Sequence, residues 1–302
     1  MINTFVYIIA YLVIGFALRQ HKGFPHETGN VLNLFVIYVS LPAVIMLKIP
    51  HLTLSSNILV PLLLPWWMLL LSALSVLLLS RLLGWSRSVT GCLMLVIPLG
   101  NTSFFGYPMV NTFFGSSGMP YAILYDQLGT FIALVTYGSF VLAIYGIHGA
   151  KPTTSMLARK IILFPPFLAS VFALGLSMSN TSYPVFLEGL LESLAITLVP
   201  TVMIAVGFQI SFRMVRSERV PLLSGLALKL IVAPFSALIF FKLFEMNGES
   251  INVAIFQAGM PPMVTAGALA IKENLAPQLA AALVGLGILV SCLSLPLLFS
   301  FF

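Results

Sequence analysis

Charged side chains are scarce in this sequence. Only 7% of its 302 residues are charged, whereas 60% are hydrophobic and the mean hydropathy is +1.08. A soluble domain usually carries about 25% charged residues, because its surface has to be hydrated. The composition therefore excludes a soluble globular domain and predicts an all-α integral membrane protein whose outer surface faces lipid.

Residues that bind metals or perform catalysis are also few. The cysteines and histidines stand singly, without CxxC or ligand spacing: Cys92, Cys292, His21, His26, His51 and His148. This pattern predicts neither a disulfide framework nor a zinc site. Asp126 is the only aspartate, so the two-aspartate dyad of an intramembrane protease cannot form, and the hydrolase motif G-x-S-x-G is absent. We expect no enzyme, no cofactor and no metal other than a coupling sodium ion.

Ten apolar runs are long enough for membrane helices, which need about 20 residues each. They are residues 2–18, 30–47, 57–80, 89–114, 119–147, 160–179, 185–210, 220–243, 250–271 and 275–300. Positive charge follows the first run and does not precede it, the reverse of a signal peptide, so we expect a membrane helix there. A cytoplasmic linker, residues 148–159, separates five runs in residues 1–147 from five in residues 160–302.

The basic residues fall in short clusters between these runs, despite a net charge of +6. They form no dense patch or stripe, which argues against a nucleic-acid partner. If the N-terminus lies outside, Lys48 and Lys242 face outward, while eleven basic residues face the cytoplasm: Arg19, Lys22, Arg81, Arg87, Lys151, Arg159, Lys160, Arg213, Arg216, Arg219 and Lys272. The positive-inside rule therefore places both termini outside the plasma membrane.

Short matches recur between the two halves at a nearly constant spacing. They are Phe16-Ala17-Leu18 with Phe172-Ala173-Leu174, Pro42 with Pro200, and Pro108-Met109-Val110 with Pro262-Met263-Val264, at offsets of 156, 158 and 154 residues. The offset corresponds to five spans. Because five is odd, the second half would enter the membrane from the opposite side, which predicts two inverted five-helix repeats as in many secondary transporters.

Helix breakers interrupt the fourth and ninth runs at corresponding positions. They are Gly100, Gly106 and Pro108 in the fourth run, and Pro261 and Pro262 in the ninth. Broken backbone at membrane depth is tolerated where it is buried in protein or lines a cavity, and paired breaks point to a transporter's binding site. Freed helix N-termini suit a carboxylate. The candidate substrate contacts are Asn101, Thr102, Ser103, Tyr107, Gln257, Gly259 and Thr265; the alternative is a pair of structural kinks.

Two charged residues lie inside predicted spans. Asp126, followed by Gln127 and Thr130, is a candidate for ion coupling, because carboxylates inside a membrane are costly and often functional. It would carry a proton, or bind sodium together with neighbouring side-chain oxygens; the alternative is a buried carboxylate held by hydrogen bonds. Lys229 would pair with Asp126, attract an anionic substrate, or extend toward the membrane interface.

At these residues the sequence resembles the auxin efflux carrier family, which includes bacterial malonate and malate permeases and the plant PIN auxin exporters. The segments that carry the resemblance are Gly100-Asn101-Thr102-Ser103-Phe104-Phe105-Gly106-Tyr107-Pro108, Leu228-Lys229-Leu230-Ile231-Val232-Ala233-Pro234 and Ala258-Gly259-Met260-Pro261-Pro262-Met263-Val264-Thr265-Ala266-Gly267. The similarity extends over the whole chain. The short central linker favours a bacterial-type permease.

The resemblance implies a fold like that of the NhaA antiporter and the bile-acid sodium symporters. Spans 1, 2, 6 and 7 would form a scaffold, and spans 3–5 and 8–10 a core with crossed broken helices in spans 4 and 9. The core would move like an elevator and carry a small organic anion, such as a mono- or dicarboxylate or an auxin-like acid. Coupling to protons is expected, with sodium as the alternative; a receptor or channel is the alternative of another class. Whether the chain forms a homodimer is left open.

The predicted orientation can be tested by labelling single cysteines in intact cells. Cysteines placed near Lys151 or Arg216 should be shielded from impermeant thiol reagents, because these positions would face the cytoplasm. Cysteines near Ser117 or Asn180 should be labelled. Labelling of the Lys151 position from outside would contradict the orientation.

Overall fold

The computed structural model describes residues 2–52, 58–147, 152–179, 183–210 and 218–302, with side chains from Phe5 onward. Several residues singled out in the sequence lie outside the described ranges: His148, Lys151, Asn180, Arg213 and Arg216. The described part of the linker is therefore residues 152–159.

The described residues form thirteen helices. They are α1 (Ile2–Gln20), α2 (Thr28–His51), α3 (Leu59–Leu83), α4 (Arg87–Val96), α5 (Gly106–Phe113), α6 (Gly115–Tyr145), α7 (Thr154–Ile162), α8 (Pro165–Met178), α9 (Val185–Gln209), α10 (Arg219–Leu243), α11 (Glu249–Ala258), α12 (Val264–Lys272) and α13 (Pro277–Phe299). Within these ranges the only extended pairing is one antiparallel bridge between Gly100 and Pro262.

Six of these helices are long and apolar enough to cross a membrane: α2, α3, α6, α9, α10 and α13. Helices α7 and α8 add a seventh span if the bent pair is counted as one. Large apolar side chains such as Leu74, Leu82 and Leu293 are exposed on the outer surface. A surface of this kind is stable only against lipid, so the chain is an integral membrane helical protein.

The linker and the sixth run differ from the sequence prediction. Helix α7 begins inside the predicted linker, because the Thr153 hydroxyl accepts a hydrogen bond from the Met156 N–H (3.3 Å) and caps the helix. The run predicted as one span, residues 160–179, is bent by 65° between α7 and α8. Pro165 and Pro166 start α8 there, because proline is tolerated in the first turn of a helix, where its missing N–H would have no helical partner anyway.

Helices α1, α2, α8 and α9 pack on one another and form one group. Helix α1 packs along α9, where Gly15 and Gly207 allow close approach: a Cβ atom on Gly207 would lie 2.1 Å from the Leu12 carbonyl oxygen. Helix α8 packs along α2 in the same group. Small residues at such contacts are typical of membrane helix packing.

Helices α3–α6 and α10–α13 form a second group, which contains both predicted helix breaks. The run at 89–114 is divided into α4 and α5, and the run at 250–271 into α11 and α12. Gly287 of α13 lies against the second break, where a Cβ atom would come within 2.5 Å of the Pro262 ring. The two breaks therefore lie in the middle of a tightly packed helix group.

Candidate functional site

The two helix breaks pair with each other. The Asn101 N–H donates to the Pro261 carbonyl (2.8 Å), and the Met263 N–H donates to the Leu99 carbonyl (3.0 Å). Pro261 and Pro262 have no N–H and cannot continue α11. Each break therefore supplies hydrogen-bond partners that the other would otherwise lack inside the membrane.

Gln257 holds the two breaks together through its side chain. Its Nε2 donates to the Thr102 carbonyl (3.1 Å), and the residue is fully buried. The contact requires Gly106, because a Cβ atom there would lie 2.5 Å from Gln257 Oε1. Gln257 thus fixes the start of α5 against the end of α11.

Asp126 is tied to the first break by hydrogen bonds. It lies in a wider, π-helical turn of α6, Tyr125–Thr130, and is only 2% exposed. Its Oδ1 accepts from the Thr102 hydroxyl (2.5 Å), and its Oδ2 accepts from the Tyr107 hydroxyl (3.0 Å) and from Gln127 Nε2 (2.7 Å). Three donors stabilise a carboxylate that burial would otherwise penalise.

A cavity of about 110 Å³ lies beside the paired breaks. Polar and apolar residues from several helices line it: Ile37, Leu41, Asn101, Ser103, Phe104, Asp126, Gln127, Phe131, Leu134, Phe164, Met263 and Thr265. Two buried polar atoms of the lining have no hydrogen-bond partner, the donor Asn101 Nδ2 and the acceptor Gln127 Oε1. Because buried polar groups are normally paired, this crossover cavity is suited to a small polar ligand.

An aromatic pair closes one side of the crossover cavity. The rings of Phe131 in α6 and Phe164 at the start of α8 are stacked, with centroids 4.0 Å apart and planes inclined by 16°. The pair connects the two helix groups. Sequence reasoning missed it, because nothing distinguishes these two among the 24 phenylalanines of the chain.

The predicted substrate contacts separate into three sets. Asn101, Ser103 and Thr265 line the crossover cavity. Thr102, Tyr107 and Gln257 lie behind it and hold the breaks and Asp126 in place.

Gly259 lies outside the cavity lining, and its N–H donates to the Phe256 carbonyl (3.1 Å) at the end of α11. The Tyr107 N–H is likewise used, by the Ser103 carbonyl (3.1 Å). Both of these N–H groups are therefore engaged by carbonyl oxygens of the protein. Each of them donates to a carbonyl within its own turn.

The predicted coupling residues also separate. Gln127 lines the cavity beside Asp126, whereas Thr130 is buried and does not line it. Lys229 is 3% exposed in a π-helical turn of α10, and its Nζ packs on Gly100, 3.0 Å from where a Cβ atom would stand.

The structure shows no ion pair between Asp126 and Lys229, because the carboxylate is engaged by Thr102, Tyr107 and Gln127. The Lys229 ammonium lies instead on the segment that follows the carbonyl end of α4. A positive charge near that end is favourable, since the helix dipole is negative there. Within the described ranges, no three His, Cys, Asp or Glu residues are grouped for a metal.

Comparison with known proteins agrees with this architecture. A family model described as a membrane transport protein matches residues 1–147 and 150–299, which is nearly the whole chain. The chain belongs to the auxin efflux carrier family. Membership in this family identifies the protein as a membrane transport protein, located in a membrane.

Two archaeal family members are similar over most of their length. An uncharacterized transporter of Methanothermobacter thermautotrophicus is 28% identical over 301 residues, which cover 98% of this chain and 96% of that protein. An uncharacterized transporter of Methanocaldococcus jannaschii is 28% identical over 262 residues, 84% of this chain and 83% of that protein. This auxin efflux carrier homologue is therefore similar over most of its length to proteins named as transporters.

The Tyr107 hydroxyl should contribute to stability through Asp126. In Tyr107→Phe the carboxylate loses one of three donors, and we expect unfolding to become easier by about 1.5–3 kcal/mol, the usual range for a hydrogen bond to a charged group. Tyr125→Phe is the matched control, because Tyr125 is also buried but donates no hydrogen bond to Asp126. The measurement is thermal unfolding of purified protein. Equal effects of the two substitutions would contradict the assigned contact.

Proposed function

We propose that this protein is a secondary active transporter of a small organic anion, such as a mono- or dicarboxylate or an auxin-like acid. The observation that carries the proposal is the crossover cavity itself. Two broken helices meet there inside the membrane-spanning group, and Asn101, which lines the cavity, has a buried donor, Nδ2, without a hydrogen-bond partner. Its family consists of membrane transport proteins.

An anionic cargo is supported by the start of α12. The helix begins at Val264 without a side-chain cap, so its first N–H groups lack helical partners, and Thr265 in its first turn lines the cavity. The positive end of the helix dipole and the Asn101 amide both favour a carboxylate there. Ile37, Leu41 and Met263 supply apolar walls for the rest of the molecule. The volume of about 110 Å³ favours the smaller acids.

The helix packing supports ten spans in two inverted repeats, residues 1–147 and 160–302. In this proposal α4 with α5, α7 with α8, and α11 with α12 are broken single spans. The offset of about 156 residues relates α1 to α8 and α2 to α9. If each helix is replaced by its counterpart in the other repeat, the contact between α1 and α9 becomes the contact between α8 and α2. Both contacts are present.

The cavities support an elevator-type movement of the second helix group against the first. The crossover cavity lies at their boundary, since Ile37 and Phe164 line it from one group and Asn101 and Asp126 from the other. A cavity of about 350 Å³ with Lys48, and one of about 420 Å³ with Arg19, also lie between the groups. By the positive-inside rule the Arg19 cavity would face the cytoplasm and both termini the outside of the plasma membrane.

A proton is the favoured coupling ion. Protonated Asp126 needs one acceptor, and the Thr102 and Tyr107 hydroxyls that now donate to it can rotate and accept instead. Sodium needs several oxygens, but both Asp126 oxygens are engaged and Asn101 Oδ1 accepts from the Phe105 N–H (3.4 Å). Gln127 Oε1 is free. Sodium is therefore the second candidate, since it requires the hydrogen bonds to rearrange.

Transport by this site should depend on the Asn101 amide. In proteoliposomes we expect saturable carboxylate uptake in the parent, and in Asn101→Ala an apparent affinity lowered about tenfold, because one hydrogen bond to a charged group is lost. Ser117→Ala is the control and should transport normally, because Ser117 is an exposed polar residue in the first turn of α6 that does not line the cavity. Flux that rises linearly with substrate would indicate a channel, and binding without flux a receptor. An unchanged apparent affinity in Asn101→Ala would instead indicate that the two helix breaks are only structural kinks.

Coupling should depend on the titration of Asp126. Asp126→Asn keeps the shape of the side chain but cannot bind and release a proton, so gradient-driven accumulation should be lost while exchange of substrate across the membrane continues. The measurement is uptake driven by a pH gradient compared with counterflow in the same vesicles. Accumulation by the variant would remove Asp126 from coupling, and uptake driven by a sodium gradient at fixed pH would favour the sodium alternative.

A further inference from the structure

A second polar cavity of about 420 Å³ lies between the ends of α1, α2 and α9 on one side and α12 and α13 on the other. Arg19, His26, Asn30 and Gln209 line the first wall. The opposite wall is smooth, because it consists of small and apolar residues such as Gly267 and Ala281. Neither the family nor the crossover cavity assigns a role to this Arg19 cavity.

The polar wall of the Arg19 cavity offers hydrogen-bond donors and no carboxylate. One nitrogen of the Arg19 guanidinium donates to the Ile210 carbonyl, which leaves other N–H groups of its fork available. Gln209 Nε2 is buried and has no partner. The nearest acid along the chain, Glu27, does not line the cavity and accepts from Asn30 Nδ2 (2.8 Å). The cavity is therefore suited to an anion.

The Arg19 cavity also adjoins the crossover cavity. Val264, the first residue of α12, lines the Arg19 cavity, whereas its neighbours Met263 and Thr265 line the crossover cavity. One turn of α12 separates the two spaces. The two cavities are therefore neighbours along the start of α12.

We infer that the Arg19 cavity is a second binding site for a small carboxylate, which holds the cargo on its way to or from the crossover cavity. Arg19 would bind the carboxylate through its planar fork, with Gln209 Nε2 as a further donor. The inference rests on the proposed function, because it takes the cargo to be an organic anion. It adds a site that the helix breaks do not form.

Binding of malonate to the purified full-length protein in lipid nanodiscs tests this inference. Calorimetric titration of the parent should show two sites. Arg19→Gln should weaken one of them about tenfold, as expected when a charge-assisted hydrogen bond is lost. Arg19→Lys should weaken it less, because the charge is kept and only the fork is lost. Arg81→Gln is the control, since Arg81 is an exposed cation at the end of α3 that does not line the cavity.

A variant on the opposite wall separates loss of binding from loss of structure. Ala281→Phe keeps every charge but fills the cavity, and it should remove the same site as Arg19→Gln while the site sensitive to Asn101→Ala remains. The inference would be overturned if the titration showed a single site that depends on Asn101 and is unaffected by Arg19→Gln and Ala281→Phe. That result would leave the proposed function intact. Absence of malonate binding to the parent would count against both.

Discussion

Where a helix is interrupted inside a membrane, its backbone N–H and C=O groups have no water to form hydrogen bonds with. The rest of this structure depends on two interrupted segments that supply hydrogen-bond partners to each other. The Asn101–Pro261 and Leu99–Met263 hydrogen bonds join the two breaks. Each unsatisfied group in hydrocarbon would cost several kcal/mol, so either break alone would be strongly disfavoured. The paired breaks allow four helices, α4, α5, α11 and α12, to end or begin at one place in the middle of the helix group. The paired breaks therefore allow a small polar cavity among otherwise apolar helices.

The charged residues inside the protein are arranged around this pairing. Asp126 accepts hydrogen bonds from Thr102 and Tyr107, on either side of the start of α5, and Lys229 rests on Gly100 after the end of α4. Each charge is thus next to backbone whose dipoles favour its sign. The cost of burying two ionisable groups is offset by contacts that also hold the broken segments in position. The hydrogen bonds to Asp126 therefore belong to the fold as well as to the candidate site.

Much of the architecture could be predicted from the sequence, because hydropathy and proline act locally. The helices are interrupted in the fourth and ninth apolar runs, where the glycines and prolines stand, and Asn101, Ser103 and Thr265 line one cavity beside the breaks. Features set by contacts between distant segments could not be predicted. The π-helical turns at Asp126 and Lys229 have no compositional signal, and the bend before α8 was missed because its prolines also fit an ordinary helix start. The sequence also does not show that Gly259 lies outside the cavity lining, with its N–H donating to a carbonyl of its own turn.

The stacked rings of Phe131 and Phe164 bear on how such a carrier distributes its time between conformations. They belong to different helix groups, so the proposed sliding movement must separate them on each cycle. An aromatic pair contributes about 0.5–1.5 kcal/mol beyond its buried area, which corresponds to an equilibrium favoured by roughly two- to tenfold. In the proposed movement, an aromatic contact of this strength would keep the site closed most of the time and would still leave the open state populated. For a protein that has to occupy both states in turn, an aromatic contact between the two helix groups would be more suitable than a buried ion pair at the same place.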